Sequence, residues 1–175
     1  MPDSQGYRDF EQTVLPHLDA AYNLARWLTR NDQDAEDVVQ EACLRALRFY
    51  AGFQGRDGRA WLLAIVRNTS YSWLRKHRAW EHVTPLEEAH EAIPDRGCGP
   101  EDLALRSVDK EMLRQALEAL PIENREVIVL RELEGLSYKE IATIADLPIG
   151  TVMSRLARGR QRLQRELAAR LNEEV

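Results

Sequence analysis

Apolar residues recur every three to four positions through most of this chain, which is the spacing of the buried face of an amphipathic helix. Residues 8–30 show the pattern first, and Pro16 within them predicts a kink or a fresh start of the helix. The pattern returns at residues 34–50, 59–80, 107–120 and 122–134, and again beyond residue 138. These repeated helical stretches predict an all-α protein.

Turn-forming residues replace this pattern between residues 81 and 106. Prolines and glycines cluster there, the stretch is acidic, and large apolar residues are few. A short helix over 86–92 is compatible with the sequence. We expect a linker at 81–106 that joins two small helical domains, residues 1–80 and 107–175.

The stretch from Gly135 to Leu167 has the pattern of two helices joined by a tight turn. Ser137 is a residue type that caps helix N-termini, and Glu140 follows it at the capping-box spacing. A helix is therefore predicted over Tyr138–Ala145. The turn follows at residues 146–148, and a second helix begins directly after it.

This second helix combines an apolar stripe with an arginine-bearing face. The residues of the stripe are Val152, Leu156, Leu163 and Leu167, and the arginines on the other side are Arg155, Arg158 and Arg162. With the helices at 107–120 and 122–134, the pair predicts a four-helix C-terminal domain with a helix-turn-helix whose polar face can enter a major groove. An ordinary amphipathic hairpin with solvated arginines would show the same pattern.

Charge is unevenly distributed along the chain. The formal net charge of −5 argues against indiscriminate binding to nucleic acid. Arginine crowds residues 67–78 and 155–165, whereas acid crowds 32–41, 81–102 and 123–134. Because basic patches bind phosphate, this segregation indicates one surface for DNA and another for protein.

No set of residues in the sequence points to catalysis. It has no Gly-rich phosphate loop, nucleophile–base set or metal-ligand cluster, so we expect no enzymatic activity, no cofactor and no metal. His82 and His90, with the glutamates near them, match no zinc spacing. Cys43 and Cys98 form no CxxC pair, and neither a secretory signal nor a bilayer-spanning run is visible, so we expect a cytoplasmic protein.

Three segments resemble the sigma-70 family of transcription factors, in the form seen in small extracytoplasmic-function (ECF) sigma factors. The family's DNA-binding segment is matched by residues 136–160, LSYKEIATIADLPIGTVMSRLARGR. The segment that opens the promoter is matched by residues 61–76, WLLAIVRNTSYSWLRK. The segment that binds a coiled coil on the polymerase clamp is matched by residues 34–50, DAEDVVQEACLRALRFY. The resemblance implies a promoter-specificity subunit, with sigma region 2 in the N-terminal domain and region 4 in the C-terminal domain.

The resemblance also implies roles for individual residues. Those implied to contact the −35 promoter element are Thr151, Ser154, Arg155, Arg158, Arg160 and Arg162. Those implied to recognise the −10 element, around a loop that receives a flipped base, are Arg67, Asn68, Thr69, Arg75, Lys76 and Arg78. Those implied to bind core RNA polymerase are Asp34, Glu36, Asp37, Gln40 and Glu41.

The sequence departs from the family pattern at a few positions. Asp146 stands where the family often has glycine, and Asp tolerates the left-handed backbone better than most residues. Met153 stands where many members carry a basic residue. Cys43 replaces a larger apolar residue and is expected to lie in the core.

Several packing details follow from the helical period. Helix 34–50 is expected to bury Val39, Cys43, Ala46 and Leu47, and helix 122–134 is expected to bury Val127, Ile128, Leu130 and Leu133. Residues 59–80 are compatible with one continuous helix, or with two helices and a short loop between them.

The partners that the resemblance implies are core RNA polymerase, promoter DNA and an anti-sigma factor. Two other functions are compatible with parts of the sequence. A sigma-like mimic that titrates an anti-sigma factor would be free to lose the basic residues of both DNA surfaces, which are present here. A helix-turn-helix regulator that works without polymerase would not need the segments at 34–50 and 59–78 in sigma-like form.

Overall fold

The computed structural model describes residues 4–77 and 110–173. The α-helices of the first range are α1 (Ser4–Val14), α2 (Leu18–Thr29), α3 (Asp32–Phe49) and α4 (Gly58–His77). Those of the second range are α5 (Lys110–Glu118), α6 (Ile122–Ile128), α7 (Tyr138–Ala145) and α8 (Ile149–Glu173). The all-α prediction is confirmed. Some predictions lie outside the described residues: the linker with its helix at 86–92, His82 and His90, and Arg78.

The N-terminal helices form a bundle in which α2, α3 and α4 pack against one another. Pro16 lies in a 3-10 turn, Leu15–His17, that separates α1 from α2, so the predicted restart of the helix is confirmed. Asn31 caps α3, because its side chain accepts a hydrogen bond from the Asp34 backbone N–H at 3.0 Å. The cap places the start of α3 at Asp32, two residues earlier than the sequence pattern predicts.

The buried face of α3 differs from the predicted one. Its buried residues are Ala35, Val38, Ala42 and Ala46, whereas Val39, Cys43 and Leu47 are only half-buried. The small alanines let α3 approach its neighbours closely, so the helix is rotated toward its alanine stripe. Burial raises the pKa of the Cys43 thiol, which disfavours the reactive thiolate.

The C-terminal helix predicted over 122–134 has two parts. After α6 the backbone widens into one π-helical turn, Val129–Leu133, in which the Glu134 N–H donates to the Val129 carbonyl at 3.1 Å. Each residue of a π turn rotates less than the α period assumes. As a result Leu133, which the α period places in the core, is 51% exposed.

The helix-turn-helix is formed by α7 and α8. At the start of α7 the Ser137 hydroxyl accepts from the Glu140 N–H at 3.1 Å, and the Glu140 carboxylate accepts from the Ser137 N–H at 2.7 Å. This reciprocal pair is the predicted capping box. At the end of α7, Asp146 has the left-handed conformation with φ 54°, as its place in the turn predicts.

Asp146 supplies a first test of the turn. We expect Asp146→Ala to lower the free energy of unfolding by about 1 kcal/mol, because alanine tolerates positive φ poorly. Asp146→Gly should leave stability unchanged or raise it, since glycine adopts this conformation freely. Urea denaturation followed by far-UV circular dichroism measures both variants, and equal stability of Asp146→Ala and wild type would contradict the assignment.

The two helical units pack against each other in the described structure. Helix α4 of the first unit contacts α7 of the second, and α2 contacts α6. This arrangement brings a basic face of the N-terminal helices against carboxylates of the C-terminal ones.

Candidate nucleic-acid interface

The recognition helix α8 is fixed by its apolar side. Val152 is fully buried and Leu156 is 1% exposed, and both face the other helices of the domain. Gly159 lets α8 approach α6 closely, because a Cβ at this position would lie 2.7 Å from Ile128 Cδ1. The Asn124 side-chain N–H₂ also donates to the Arg155 carbonyl at 3.2 Å. These contacts fix the rotation of α8 and thereby which residues face outward.

The predicted −35 residues divide into a stripe and one outlier. The residues that share a helical face are Thr151, Ser154, Arg155, Arg158 and Arg162. Arg160 lies about 2.5 turns after Thr151 and therefore on the opposite side. Its guanidinium pairs with the Glu132 carboxylate at 2.6 Å. Burial of Arg160 works to lower its pKa, but the hydrogen bonds and charges of Glu132 and Tyr138 together raise it. The structure thus brings five of the six predicted residues together.

Helix α4 carries five of the six residues predicted for the −10 element, and it is continuous from Gly58 to His77. Of the two alternatives for this stretch, the structure has the uninterrupted helix, with no loop at Asn68. Asn68 is exposed, as are Arg75 and Lys76. Thr69 is only 2% exposed, and its hydroxyl donates to the Ile65 carbonyl at 2.7 Å. In this conformation the Thr69 side chain cannot reach DNA.

Arg67 is held by the C-terminal domain. Its Nε donates to one oxygen of the Glu126 carboxylate, and the Tyr71 hydroxyl donates to the other oxygen at 2.8 Å. The Arg67 guanidinium also lies over the Tyr71 ring, 4.4 Å from its centre. Arg67, which is predicted to contact DNA, is therefore already paired with a carboxylate of the same chain.

The electrostatics of this cluster keep both donors protonated. Burial disfavours the charge on Arg67, but the hydrogen bond and the charge of Glu126 outweigh burial and raise the pKa of the guanidinium. Burial, followed by the charge and hydrogen bond of Glu126, raises the pKa of the Tyr71 hydroxyl. Arg67 stays cationic and Tyr71 stays a neutral donor across the physiological pH range.

The start of α4 is supported by an aromatic cluster. The Trp61 and Phe53 rings lie 4.7 Å apart, and the Trp61 and Tyr50 rings lie 6.1 Å apart. The Phe10 and Tyr50 rings are nearly perpendicular, with their centres 5.4 Å apart. Trp61 thus packs against other aromatic residues of the N-terminal unit.

The residues predicted to bind polymerase lie on one side of α3. Glu36, Gln40 and Glu41 are exposed, and Asp34 and Asp37 are partly exposed. The same side also carries Leu44, which is 65% exposed, follows Gln40 by one helical turn and is not among the predicted residues. Its exposure depends on the rotation of α3 about its alanine stripe, so the apolar period alone gave no signal for it.

Within residues 4–77 and 110–173, no group of three or more His, Cys, Asp or Glu side chains is arranged to hold a metal ion. Among the helices of the same two ranges, none is both long enough and apolar enough to span a bilayer.

Comparison with known proteins identifies both helical units. Residues 13–80 match Sigma-70 region 2, and residues 110–163 match Sigma-70, region 4. The ECF RNA polymerase sigma factor SigE of Mycolicibacterium smegmatis is 34% identical over 171 residues, covering 98% of this chain. The chain spans 66% of the length of that relative. The RNA polymerase sigma-H factor of Pseudomonas aeruginosa is 33% identical, covering 95% of this chain and 90% of the relative.

A solved structure is also similar. The sigma factor RpoE from Bartonella quintana, in complex with the anti-sigma factor NepR, superposes with a TM-score of 0.71 and 34% identity. The match covers 92% of this chain and 98% of that chain, so it includes both helical units. The two family regions occur in order, and relatives above 30% identity extend over most of the sequence. The chain therefore belongs to the ECF group of the sigma-70 family of RNA polymerase sigma factors.

Proposed function

We propose that this chain is an alternative promoter-specificity subunit that binds core RNA polymerase, recognises −35 and −10 promoter elements and directs initiation. The observation that carries the proposal is the joint presence of an outward-facing arginine stripe on α8 and a separate acidic face on α3, in a member of the ECF group. The first surface suits DNA and the second suits a protein partner.

Recognition of the −35 element is assigned to the N-terminal part of α8. HTH proteins place this part of the second helix in the major groove, where arginine pairs with guanine through two hydrogen bonds. Thr151, Ser154, Arg155 and Arg158 form the proposed groove-facing set. Arg162 lies further along the same face and is assigned to phosphate. Arg160 lies on the opposite side of α8, paired with Glu132, and is left out of the proposed set.

Recognition of the −10 element is assigned to α4. Asn68 supplies an exposed amide, and Arg75 and Lys76 supply exposed charges for backbone phosphate. Arg67 joins them once its pair with Glu126 is broken. Arg78 remains part of the proposed set on sequence grounds.

Docking on polymerase is assigned to the outer face of α3. The carboxylates of Asp34, Glu36, Asp37 and Glu41 give this face a negative potential, and Gln40 adds a neutral amide. The exposed Leu44 adds an apolar centre of the kind that protein interfaces bury. The proposed activity takes place in the cytoplasm, where polymerase supplies the catalysis and this subunit supplies no chemistry of its own.

Control by an anti-sigma factor is part of the proposal. The support is the likeness to RpoE of Bartonella quintana, a sigma factor whose solved structure includes the anti-sigma factor NepR. A partner that holds the two helical units together would prevent α8 and α4 from binding the −35 and −10 elements of one promoter at the same time.

Run-off transcription with purified core polymerase over a promoter library tests the function. We expect initiation at a subset of promoters that share −35 and −10 elements, and gel shifts in which specific duplex binding needs core enzyme. Tight specific binding by the free chain would instead support a polymerase-independent regulator. An anti-sigma complex without any transcription would support a mimic.

Arg155 gives a residue-level test of the −35 assignment. We expect Arg155→Ala to lower discrimination between the selected −35 element and its point variants by about 1–3 kcal/mol, because one bidentate base contact is lost. Run-off transcription from matched templates with core polymerase measures the loss. Arg165→Ala, which removes the same charge from an exposed position further along α8, is the matched control. Equal behaviour of the two variants would remove Arg155 from the base-reading set.

A further inference from the structure

The contact between the two helical units is built from arginines on one side and glutamates on the other. Arg59 Nη2 donates to the Glu134 carboxylate at 2.9 Å and to the Glu134 carbonyl at 2.8 Å. Two turns further along α4, Arg67 donates to the Glu126 carboxylate. On α2, Arg26 lies 3.5 Å from the Glu118 carboxylate. Every glutamate in this row belongs to the C-terminal unit.

The two α4 pairs are in matched register. Arg59 and Arg67 are eight residues apart, and so are their partners Glu134 and Glu126, which run in the opposite direction. Eight residues of α4 span about 12 Å, so its two arginines lie far enough apart for each to meet its own carboxylate. Two ion pairs in matching order indicate two complementary charged surfaces, whereas a single chance ion pair would not.

Burial makes these pairs consequential. The Glu126 side chain is 0% exposed and the Glu134 side chain is 9% exposed, whereas their arginines are 18% and 32% exposed. Exposed ion pairs contribute little, but removing one partner from a buried pair leaves a charge without solvation or counterion. The closed arrangement therefore depends on both Arg67 and Glu126.

Carboxylate and phosphate are alternative partners for the same guanidinium, since arginine binds both with charge-assisted hydrogen bonds. We propose that Glu126 and Glu134 act as an intramolecular stand-in for a DNA backbone, so that the closed chain masks a phosphate-binding row of α4 formed by Arg67 and Arg59. The inference rests on the proposed assignment of α4 to the −10 strand, and it adds Arg59 as a further backbone contact.

A two-state equilibrium follows from this competition. Arg67 cannot hold Glu126 and a DNA phosphate at once, so a strand binds only the open fraction of molecules. The apparent affinity of the free chain for single-stranded DNA is then reduced by that fraction. Any change that weakens the glutamate row without touching the arginines should tighten DNA binding.

Glu126→Gln is the direct test, because it keeps the shape of the side chain and removes its charge. For the free full-length variant we expect a larger radius of gyration by small-angle X-ray scattering. Fluorescence anisotropy with labelled oligo(dT) should show binding about tenfold tighter than wild type. Glu166→Gln is the matched control: it removes the same charge from the same unit, at a position on α8 where Glu166 pairs with Arg170 of the same helix. It should change neither measurement.

Tyr71→Phe keeps the test decisive if Glu126→Gln folds poorly, and a double variant tests the added role of Arg59. Tyr71→Phe removes only the hydroxyl that donates to Glu126 and should shift both measurements in the same direction by a smaller amount. Adding Arg59→Ala to Glu126→Gln should weaken oligo(dT) binding about two- to fivefold and lower the slope of log affinity against log salt by about one.

A wild-type radius of gyration and a wild-type oligo(dT) affinity in both Glu126→Gln and Tyr71→Phe would overturn the proposal that the glutamates hold the chain closed. Expansion without tighter binding would overturn the masking of α4. Neither measurement uses polymerase, so these results do not bear on the proposed function. Run-off transcription by the wild-type chain decides the proposed function separately.

Discussion

Leu156→Ala is expected to lower the free energy of unfolding by about 2–5 kcal/mol and to abolish recognition of the −35 element. Leu156 is 1% exposed and lies between Val152 and Gly159 on the buried side of α8. Removing its side chain leaves a cavity where α8 meets the rest of its domain. Since small domains are stable by only about 5–15 kcal/mol, this loss is a large part of the total.

The matched control for Leu156→Ala is Leu171→Ala, in the last turns of the same helix. Leu171 is 45% exposed, so truncating it should change stability by no more than about 0.5 kcal/mol. Urea denaturation followed by far-UV circular dichroism compares the two variants. A destabilised Leu171→Ala and an unchanged Leu156→Ala would show that α8 is rotated differently from the structure described.

Gly58→Ala is expected to have the next largest effect, a loss of about 1–3 kcal/mol in the N-terminal unit. Gly58 begins α4, and a Cβ there would lie 2.5 Å from Thr13 Cγ2 and 2.6 Å from the Thr13 backbone oxygen. The methyl group of Thr13 could rotate away, but the backbone oxygen cannot. The Thr13 hydroxyl is also hydrogen-bonded to that of Tyr50 at 3.0 Å, which further fixes α1 at this point.

Gly52→Ala is the control for Gly58→Ala, because a Cβ built at Gly52 meets no side chain or backbone from a neighbouring part of the fold within 4 Å. It should be neutral or slightly stabilising, since alanine reduces the conformational entropy of the unfolded chain. Thermal melting of the two variants measures the difference. Equal melting temperatures would mean that α1 does not contact the start of α4 as described.

The order and type of the helices could be predicted from the sequence because each depends on neighbouring residues. The Ser137–Glu140 capping box, the left-handed Asp146 and the break at Pro16 are fixed by groups within a few positions of one another. The buried positions Val152 and Leu156 follow equally from a 3.6-residue period. These features survive in any tertiary arrangement that buries the apolar stripe.

Other details could not be predicted because they depend on departures from the ideal period. The π turn at Val129–Leu133 exposes Leu133, which an unbroken α-helix would bury. Helix α3 buries its alanines and leaves Leu44 in solvent, since close helix packing favoured the small residues. The sequence also left open whether α4 contains a loop, and Thr69 proved to lie in the core.

By itself the sequence determined the helices, the helix-turn-helix and the three segments that place the chain among the ECF sigma factors, because short-range periodicity, caps and motif order carry that information. Only the tertiary structure decided that Arg67 and Arg59 face Glu126 and Glu134. Those partners are 59 and 75 positions apart in the chain. Charge pairing over such separations depends on how whole helices pack, and local patterns do not encode it.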